Sequence, residues 1–550
     1  MSETGSTVKI WLPLALMGTL AAGILIGSTV FDSTRGARAH ISRKLPPAAS
    51  GQRINEILYY IDEFYVDSVD ADSLADHTIE LLLEQLDPHT AYIPAEDLEL
   101  VSSNLEGNFE GVGIEFNLVR DTIYVVTPIA NGPSEAVGIQ AGDKIVEVEG
   151  ENVAGIGITN REVIDKLRGE KGTEVQVGVV RAGVPEVIPF TITRDEIPTY
   201  TVNAAFKVDE QTGYIKLSRF GANSYDEFRK ALEKLTQQGI SRLVFDLRGN
   251  PGGYMGRAVS IADELLAGEA LIVYTDGQLD RFDTEERAGK KGLFEEGGVV
   301  VLIDEGSASA SEIVAGALQD NDRALVVGRR SFGKGLVQKP IGLSDNSQLR
   351  LTISRYYTPS GRSIQKPYSE DKNAYANEIW ERYQNGEFFE LDSSKLDQEH
   401  IYKTVGGRTV LGGGGIVPDV FVPRDTSFYS PLLNELLSEN LPREFASAYV
   451  REHGSEWEER SFQEFNTHFR LNAEREADFW ALAESRGIAK REPDYSQSIG
   501  YLRNLLKAMI ARLLWQDEGY YPIILQEDPV FQEALRHFEE AEQLRHLPKK

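Results

Sequence analysis

The chain has 550 residues, 41% of them hydrophobic, so it can bury several cores, and its length predicts roughly three or four domains. Its 86 acidic residues against 57 basic ones give a net charge of -29, which disfavours nucleic acid or an anionic lipid surface and points to protein or peptide partners. Cysteine is absent, which excludes disulfides, thiol catalysis and thiolate metal sites while leaving the compartment open.

In chain order, a short N-terminal segment (1–9) precedes "IWLPLALMGTLAAGILIGSTVF" (10–31), which carries no charge and matches the about 20 apolar residues that cross a bilayer. We read a transmembrane anchor; a cleaved signal peptide is the alternative, with "ARA" at 37–39 resembling a cleavage site. Lys9 before the span and Arg35, Arg38, Arg43 and Lys44 after it would, on charge bias alone, leave the C-terminal side cytoplasmic. A Pro- and Ala-bearing linker (32–50) leads into a helical region (51–103), where "INEILYYIDEFY" and "LADHTIELLLEQL" have helical apolar spacing and end at the turn "DPHTAYIP". From 104 to 196, strand-like runs such as "TIYVVTPI", "KIVEVEG" and "EVQVGVV" alternate with glycine turns and one helix pattern, "NREVIDKLRG", predicting a compact β-rich module.

Between 197 and 425, "RLVFDLRGNPGG", "GVVVLIDEGSASA" and "ALVVG" are buried-type strands alternating with the helix patterns "RAVSIADELLA" and "SEIVAGALQD". They predict an α/β core with a mostly parallel sheet. The polar stretch at about 367–407 reads as an insertion in that core. From 426 to 550 the chain is a helical, acidic, aromatic-rich tail. Its stripe "IGYLRNLLKAMIARLLW" (499–515) is expected to pack against the chain itself, with a homo-oligomer interface as the alternative.

Chemistry is suggested first by "DEGSASASEIVAGALQD" (304–320), which sets Ser307, Ser309 and Ser311 at alternate positions before a helix pattern. No histidine lies between His89 and His400, so a Ser-His-Asp triad would need a remote imidazole. The other common activation is a desolvated lysine whose neutral amine takes the hydroxyl proton. "SFGKGLVQKP" (331–340) supplies Lys334 with Gln338 four residues on, and the two share a face in strand or helix. The turn "GNPGG" (249–253) offers N–H groups at Gly252 and Gly253 to an oxyanion, and the residue after the nucleophile offers another. All three loops fall at the carboxyl ends of strands, where α/β sheets gather their sites. Local pattern does not choose among the three serines, and Ser309 with Glu312 also fits a capping box that does no chemistry. Lys334 admits two further readings, a solvated surface lysine and a phosphate loop in "GRRSFGKG" (328–335). The phosphate loop lacks the Ser or Thr it needs at Gly335 and a helix after it.

Seven ordered motifs, "LDPHTAYIPAEDL", "FEGVGIEF", "GIQAGDKIVEVEG", "DLRGNPGG", "EGSASASEIVAGALQD", "SFGKGLVQ" and "RYYTPSGRSIQ", resemble the carboxyl-terminal processing proteases, also called tail-specific proteases, over roughly 55–425. The resemblance implies that Ser309 is the nucleophile, Lys334 the general base and Gln338 the residue that orients it, with oxyanion donors at Ala310 and at Gly252 or Gly253. It implies a core of the crotonase or Clp-protease type. Asp246 and Arg248 are read as structural.

The module at 104–196 resembles a PDZ domain, which holds a peptide's terminal carboxylate in backbone N–H groups and adds the peptide as a strand. Its carboxylate loop is expected at Gly111, Val112 and Gly113, with Ile114 and Phe116 lining the terminal side-chain pocket; a plain β-turn is the alternative. Arg168 is expected either to steer an acidic terminus or to link this module to the core. The implied protein is a membrane-anchored serine endopeptidase of the cell envelope that recognises the free C-termini of proteins and processes or degrades them. Its catalytic part is then extracytoplasmic (periplasmic), which sets aside the charge-bias reading, since long domains are exported regardless of nearby charge. The alternative is a non-catalytic PDZ-type peptide-binding scaffold. No cofactor, metal or nucleic acid is expected. The insertion, the tail and the lengthened closing motif "GGGGIVPD" (412–419) exceed the family's minimal pattern.

Overall fold

A computed structural model describes residues 49–368, 372–390 and 400–548. The expected anchor at 10–31 lies outside the described residues, among which no helix is long and apolar enough to cross a membrane. The chain divides into two units at Thr78. The first is helical, with Ala49–Phe64 and the start of Ala71–Leu83. All that follows lies in the second, Ile79–Lys550.

Six strands form a central sheet in the order Val202–Lys207, Thr212–Leu217, Arg242–Asp246, Gly298–Ile303, Leu325–Gly328, Val420–Phe421. The first pair is antiparallel and the remaining pairings are parallel, the mostly parallel core expected from the apolar runs. Period-two alternation sends Val299, Val301 and Ile303 to one face and Val300 and Leu302 to the other. Helices Ser224–Gln237, Met255–Asp263 and Ala310–Asp320 bury Phe228, Leu232, Ile261, Ile313 and Val314 against the first face.

The far face is covered by Pro529–Arg536 and Phe538–Leu544, through Val530, Phe531, Ala534, Phe538 and Leu544. The end of the segment read as a tail is therefore the second helical layer of the core. A sheet apolar on both faces needs that cover. A second, antiparallel sheet runs Ala91–Ile93, Gln348–Tyr357, Leu271–Gly277, Thr284–Arg287, with Leu336–Gly342 also paired to Gln348–Tyr357. It contributes Ile272, Val273 and Tyr356 to the cluster around Ala310–Asp320, a helix buried all round.

The β-rich module is an antiparallel sheet of Ile114–Leu118, Ile123–Pro128, Lys144–Val148, Glu174–Val180 and Ile188–Thr193. Its helix Asn160–Leu167 starts in a capping box between Thr159 and Glu162 and buries Val163 and Leu167. Farther on, Pro431–Ser438, Leu441–His453, Ala473–Ser485 and Asp494–Ile524 pack around Leu433, Phe445, Phe479, Leu506 and Ile510. The apolar stripe at 499–515 is thus buried within the chain. Asp494–Ile524 is broken at Trp515 and Gln516, whose φ/ψ of -132°/19° and 54°/-148° are non-helical. This helical region meets the β-rich module through Arg512 and Glu115, 3.1 Å apart, and through Arg120 and Glu439.

The insertion is less loosely attached than its polar sequence suggests. Its helix Lys372–Gln384 buries Tyr375 and Arg382, and Arg382 donates to the carbonyl oxygens of Arg330 (2.7 Å) and Ser331 (3.0 Å). Those carbonyls belong to the loop that carries Lys334.

Candidate active site

Three loops leave the carboxyl ends of adjacent parallel strands and meet: 247–254 after Arg242–Asp246, 304–309 after Gly298–Ile303, and 329–335 after Leu325–Gly328. Hydrogen bonds stitch them together. Ala308 N–H donates to Asn250 O at 3.0 Å and Phe332 N–H to Ser307 O at 3.0 Å.

The three serines now separate. Ser307 Oγ donates to Leu247 O at 2.9 Å and Ser311 Oγ to Asn250 O at 2.9 Å, so both outer hydroxyls are buried and committed to the 247–254 loop. The Ser309 hydroxyl donates to no acceptor among the described residues and its residue is only half-buried. Ser309 also sits at φ 55°, ψ -113°, a region that non-glycine residues rarely adopt and that surrounding structure must enforce. The capping box with Glu312 is present, but the serine lacks the extended backbone usual at a helix N-cap.

Glu312 does much of the enforcing. Fully buried, its carboxylate accepts from Ser309 N–H (2.8 Å), Ser331 Oγ–H (2.5 Å), Gly333 N–H (2.7 Å) and Lys334 N–H (2.8 Å). Ser309 and Lys334 bond the same oxygen, Oε2, which holds the two backbones on either side of a single atom. Burial pushes the Glu312 carboxyl up to about 7, with the hydrogen bonds opposing. On the other side, the buried Tyr356 hydroxyl lies 3.0 Å from Ser309 O and 2.6 Å from Lys334 O.

Lys334 Nζ donates to Gln338 Oε1 at 3.0 Å. Burial holds the ammonium below its ordinary value; the Arg350 cation adds to this, and Glu312 and Asp87 oppose it. Lys334 is followed by the strand Leu336–Gly342, so the phosphate-loop reading fails on its missing helix. The register of that strand slips between Val337 and Gln338, a bulge that re-aims Gln338. Gln338 Nε2 in turn donates to His89 O.

The two turn glycines differ. Gly252 N–H donates to Asn250 Oδ1 at 2.9 Å, so it is already engaged, whereas the N–H groups of Gly253 and Ala310 meet no acceptor among the described residues. Neither glycine tolerates a side chain. A Cβ on Gly252 would lie 2.7 Å from Ser309 Cβ, and one on Gly253, at φ 144°, would lie 2.2 Å from Phe220 O.

Asp246 and Arg248, read as structural, form a buried ion cluster behind this turn. Asp246 accepts from Arg248 Nη2 (2.7 Å), Tyr214 OH (2.7 Å) and Lys216 Nζ (3.3 Å). Burial opposes ionisation of Asp246, but the Arg248 and Lys216 cations hold its carboxyl far below the usual range. Arg248 Nη1 reaches Asp528 at 2.8 and 3.0 Å, a partner no local pattern in the sequence pointed to.

In the β-rich module Gly111 bridges to Arg168, Val112 is buried, Gly113 has φ 72°, and Ile114 and Phe116 pack against the cluster that contains Val163 and Leu167. Arg168 donates to Ser103 Oγ at 2.9 Å and stacks over Phe109 at 4.7 Å. These contacts tie Arg168 to the helix Ala95–Glu106 and to Phe109 just after it, and reach neither of the two expected targets, an acidic terminus or the core. No group of His, Asp and Glu suited to a metal ion occurs among the described residues.

Residues 211–371 match the model of peptidase family S41, residues 111–189 that of the PDZ domain, and residues 432–517 a family of unknown function. The chain is 38% identical over 317 residues to the carboxy-terminal-processing protease of Bartonella bacilliformis, a match covering 57% of this chain and 72% of that protein. To the carboxy-terminal processing protease CtpB of Bacillus subtilis it is 35% identical over 323 residues, covering 57% and 65%. The solved structure of a photosystem II D1 C-terminal processing protease aligns with 68% of this chain and 94% of its own, at 26% identity and a TM-score of 0.36.

Proposed function

The chain belongs to peptidase family S41, among the carboxy-terminal processing serine proteases, and from that premise we propose that Ser309 attacks the scissile carbonyl with Lys334 as its general base. The non-catalytic scaffold falls away with family membership. In this reading the neutral Lys334 amine takes the Ser309 proton as the Oγ–C bond forms. Ala310 and Gly253 N–H groups receive the oxyanion. As the C–N bond breaks, the Lys334 ammonium returns its proton to the leaving amine. Water, deprotonated by Lys334, then releases the acyl group and restores Ser309. Gln338 holds the amine in place.

The observation that carries the reading is the pairing of Ser309 and Lys334 backbones on one buried carboxylate oxygen, with the desolvated Lys334 amine bonded to Gln338. The PDZ domain would receive the free C-terminus of a protein at 111–116, extending the strand Ile114–Leu118, and so present the chain behind it for cleavage. We place the catalytic part outside the cytoplasm, tethered by the apolar stretch 10–31, as a processing or degrading enzyme of the envelope.

Incubating the full chain with an unstructured protein tests this. Ser309→Ala and Lys334→Ala should each lower kcat/KM by at least roughly a thousandfold without loss of fold. Cleavage that persists in both variants rejects the pair. Alkaline phosphatase fused after residue 50 should be active if the segment beyond the anchor is exported; cytoplasmic signal alone rejects the placement.

A further inference from the structure

Gln338 is useful to Lys334 only if its amide points the right way. The carbonyl oxygen must face Nζ, so that the amine donates one N–H to it and keeps its lone pair. The opposite orientation would present the amide N–H to that lone pair and occupy the site a serine proton has to enter. Shape alone does not choose, because the two ends of a glutamine amide are nearly the same size. What chooses is the group on the far side: Gln338 Nε2 faces His89 O, which can only accept, so the nitrogen is fixed there and the oxygen is turned toward Lys334.

His89 O is held in place by Asp87. This carboxylate, 8% exposed, accepts from His89 N–H (2.9 Å), Thr90 N–H (3.0 Å) and Thr90 Oγ–H (2.5 Å) within its own turn, and from Thr352 Oγ–H (3.0 Å) on the strand Gln348–Tyr357. Thr352 N–H donates to Thr90 Oγ1 at 3.2 Å. Thr352 is the cross-strand partner of Gln338 at the bulge, so one carboxylate ties the turn to the residue beside Gln338. Burial opposes ionisation of Asp87, yet the hydrogen bonds from Thr90, His89 and Thr352 hold its carboxyl below the usual range, so it stays an all-acceptor hub. From the opposite side the His89 ring meets Tyr375 OH at 2.8 Å, on the insertion helix Lys372–Gln384.

We infer that Asp87 is a positioning residue for catalysis: it fixes the His89 carbonyl, the carbonyl sets the polarity of the Gln338 amide, and that polarity keeps the Lys334 lone pair open to the serine proton. The inference rests on Lys334 being the base. Asp87 never touches substrate and acts only through Gln338.

A double-mutant cycle on the full chain tests it, with fluorescein-labelled casein as substrate and Asp87→Asn, Gln338→Ala and the double variant compared. Asp87→Asn should lower kcat about tenfold with KM within about twofold, a fraction of what a general base contributes. In the Gln338→Ala background the same change should cost nothing more. The acid limb of kcat/KM against pH should also move to lower pH, because the variant removes an anion that favours the Lys334 ammonium and lets the amide donate to the amine. Equal losses in both backgrounds, or an unchanged kcat, would overturn the inference. Should Asp87→Asn not fold, Thr352→Val, which keeps the carboxylate and removes one donor, decides by the same comparison with Gln338→Ala. Cleavage surviving in Lys334→Ala defeats the assignment of the base instead, whatever Asp87 does.

Discussion

A carboxylate with no solvent contact accepts four hydrogen bonds at Glu312, and those four donors come from two of the three loops of the proposed centre. Glu312→Gln replaces one acceptor oxygen by a donor, which leaves buried N–H groups facing an N–H. We expect a loss of about 2–4 kcal/mol of stability and a collapse of kcat, read by denaturant unfolding and by casein cleavage. The pH sign follows from the raised carboxyl, which stands at about 7 against an ordinary 4.5. Folding favours the protonated form, so this contribution is complete below pH 4.5 and is lost as the pH climbs toward 7. The unfolding midpoint of the native protein should fall across that window, and Glu312→Gln should flatten the fall. Activity should run the other way if Lys334 is the base as proposed, since a base must lose its proton to act. Its lowered position predicts a kcat/KM that rises with pH along a limb below 10.5, the ordinary lysine value. Gln338→Glu, which sets an anion beside Nζ, should move that limb upward.

At the scale of elements, the turn before helix Met255–Asp263 and Asp528, the N-cap of helix Pro529–Arg536, are joined by one ion cluster through Arg248. Gly253→Ala would press a methyl into Phe220 O and displace the proposed oxyanion donor; kcat should drop by about 10²–10³ with little change in KM. Phe531→Ala opens a cavity on the far face of the central sheet and should cost about 3–5 kcal/mol in an unfolding titration, although it lies away from the proposed centre. The alternation of apolar strands and helices, the glycine turns and the position of Lys334 before a strand were legible because each depends on residues a few positions apart. The motif order then selected Ser309, which spacing alone left tied with Ser307 and Ser311. The Arg248–Asp528 pair was not legible, since 280 residues separate its members and neither carries a local sign of the other. The same holds for Asp87 and Thr352, separated by 265 residues. Helices 529–544 were read as tail because amphipathic periodicity says which side of a helix is apolar and not which sheet will receive it.

Over the whole molecule, the helical region from 431 to 524 touches the PDZ domain at Glu115 and continues through a broken helix to Asp528, which holds Arg248 behind the GNPGG turn. Ending the chain after residue 524 removes Asp528 together with Pro529–Arg536 and Phe538–Leu544, and leaves the far face with the end of Asp494–Ile524, at Tyr521 and Ile524. Such a protein should bind hydrophobic dye, aggregate and fail to cleave casein, and adding back a 525–550 peptide should restore part of the activity; a soluble, active truncation would contradict this layering. Ribosomes make a chain from its N-terminus, so the layer that covers this face of the core emerges after all six strands of the sheet. Until residues 528–544 are synthesised, the far face of the central sheet lacks Phe531 and Phe538 and Arg248 lacks the Asp528 carboxylate. Order of synthesis therefore places the cover of that face after every strand it protects, and the sheet waits for helices that follow it in the chain.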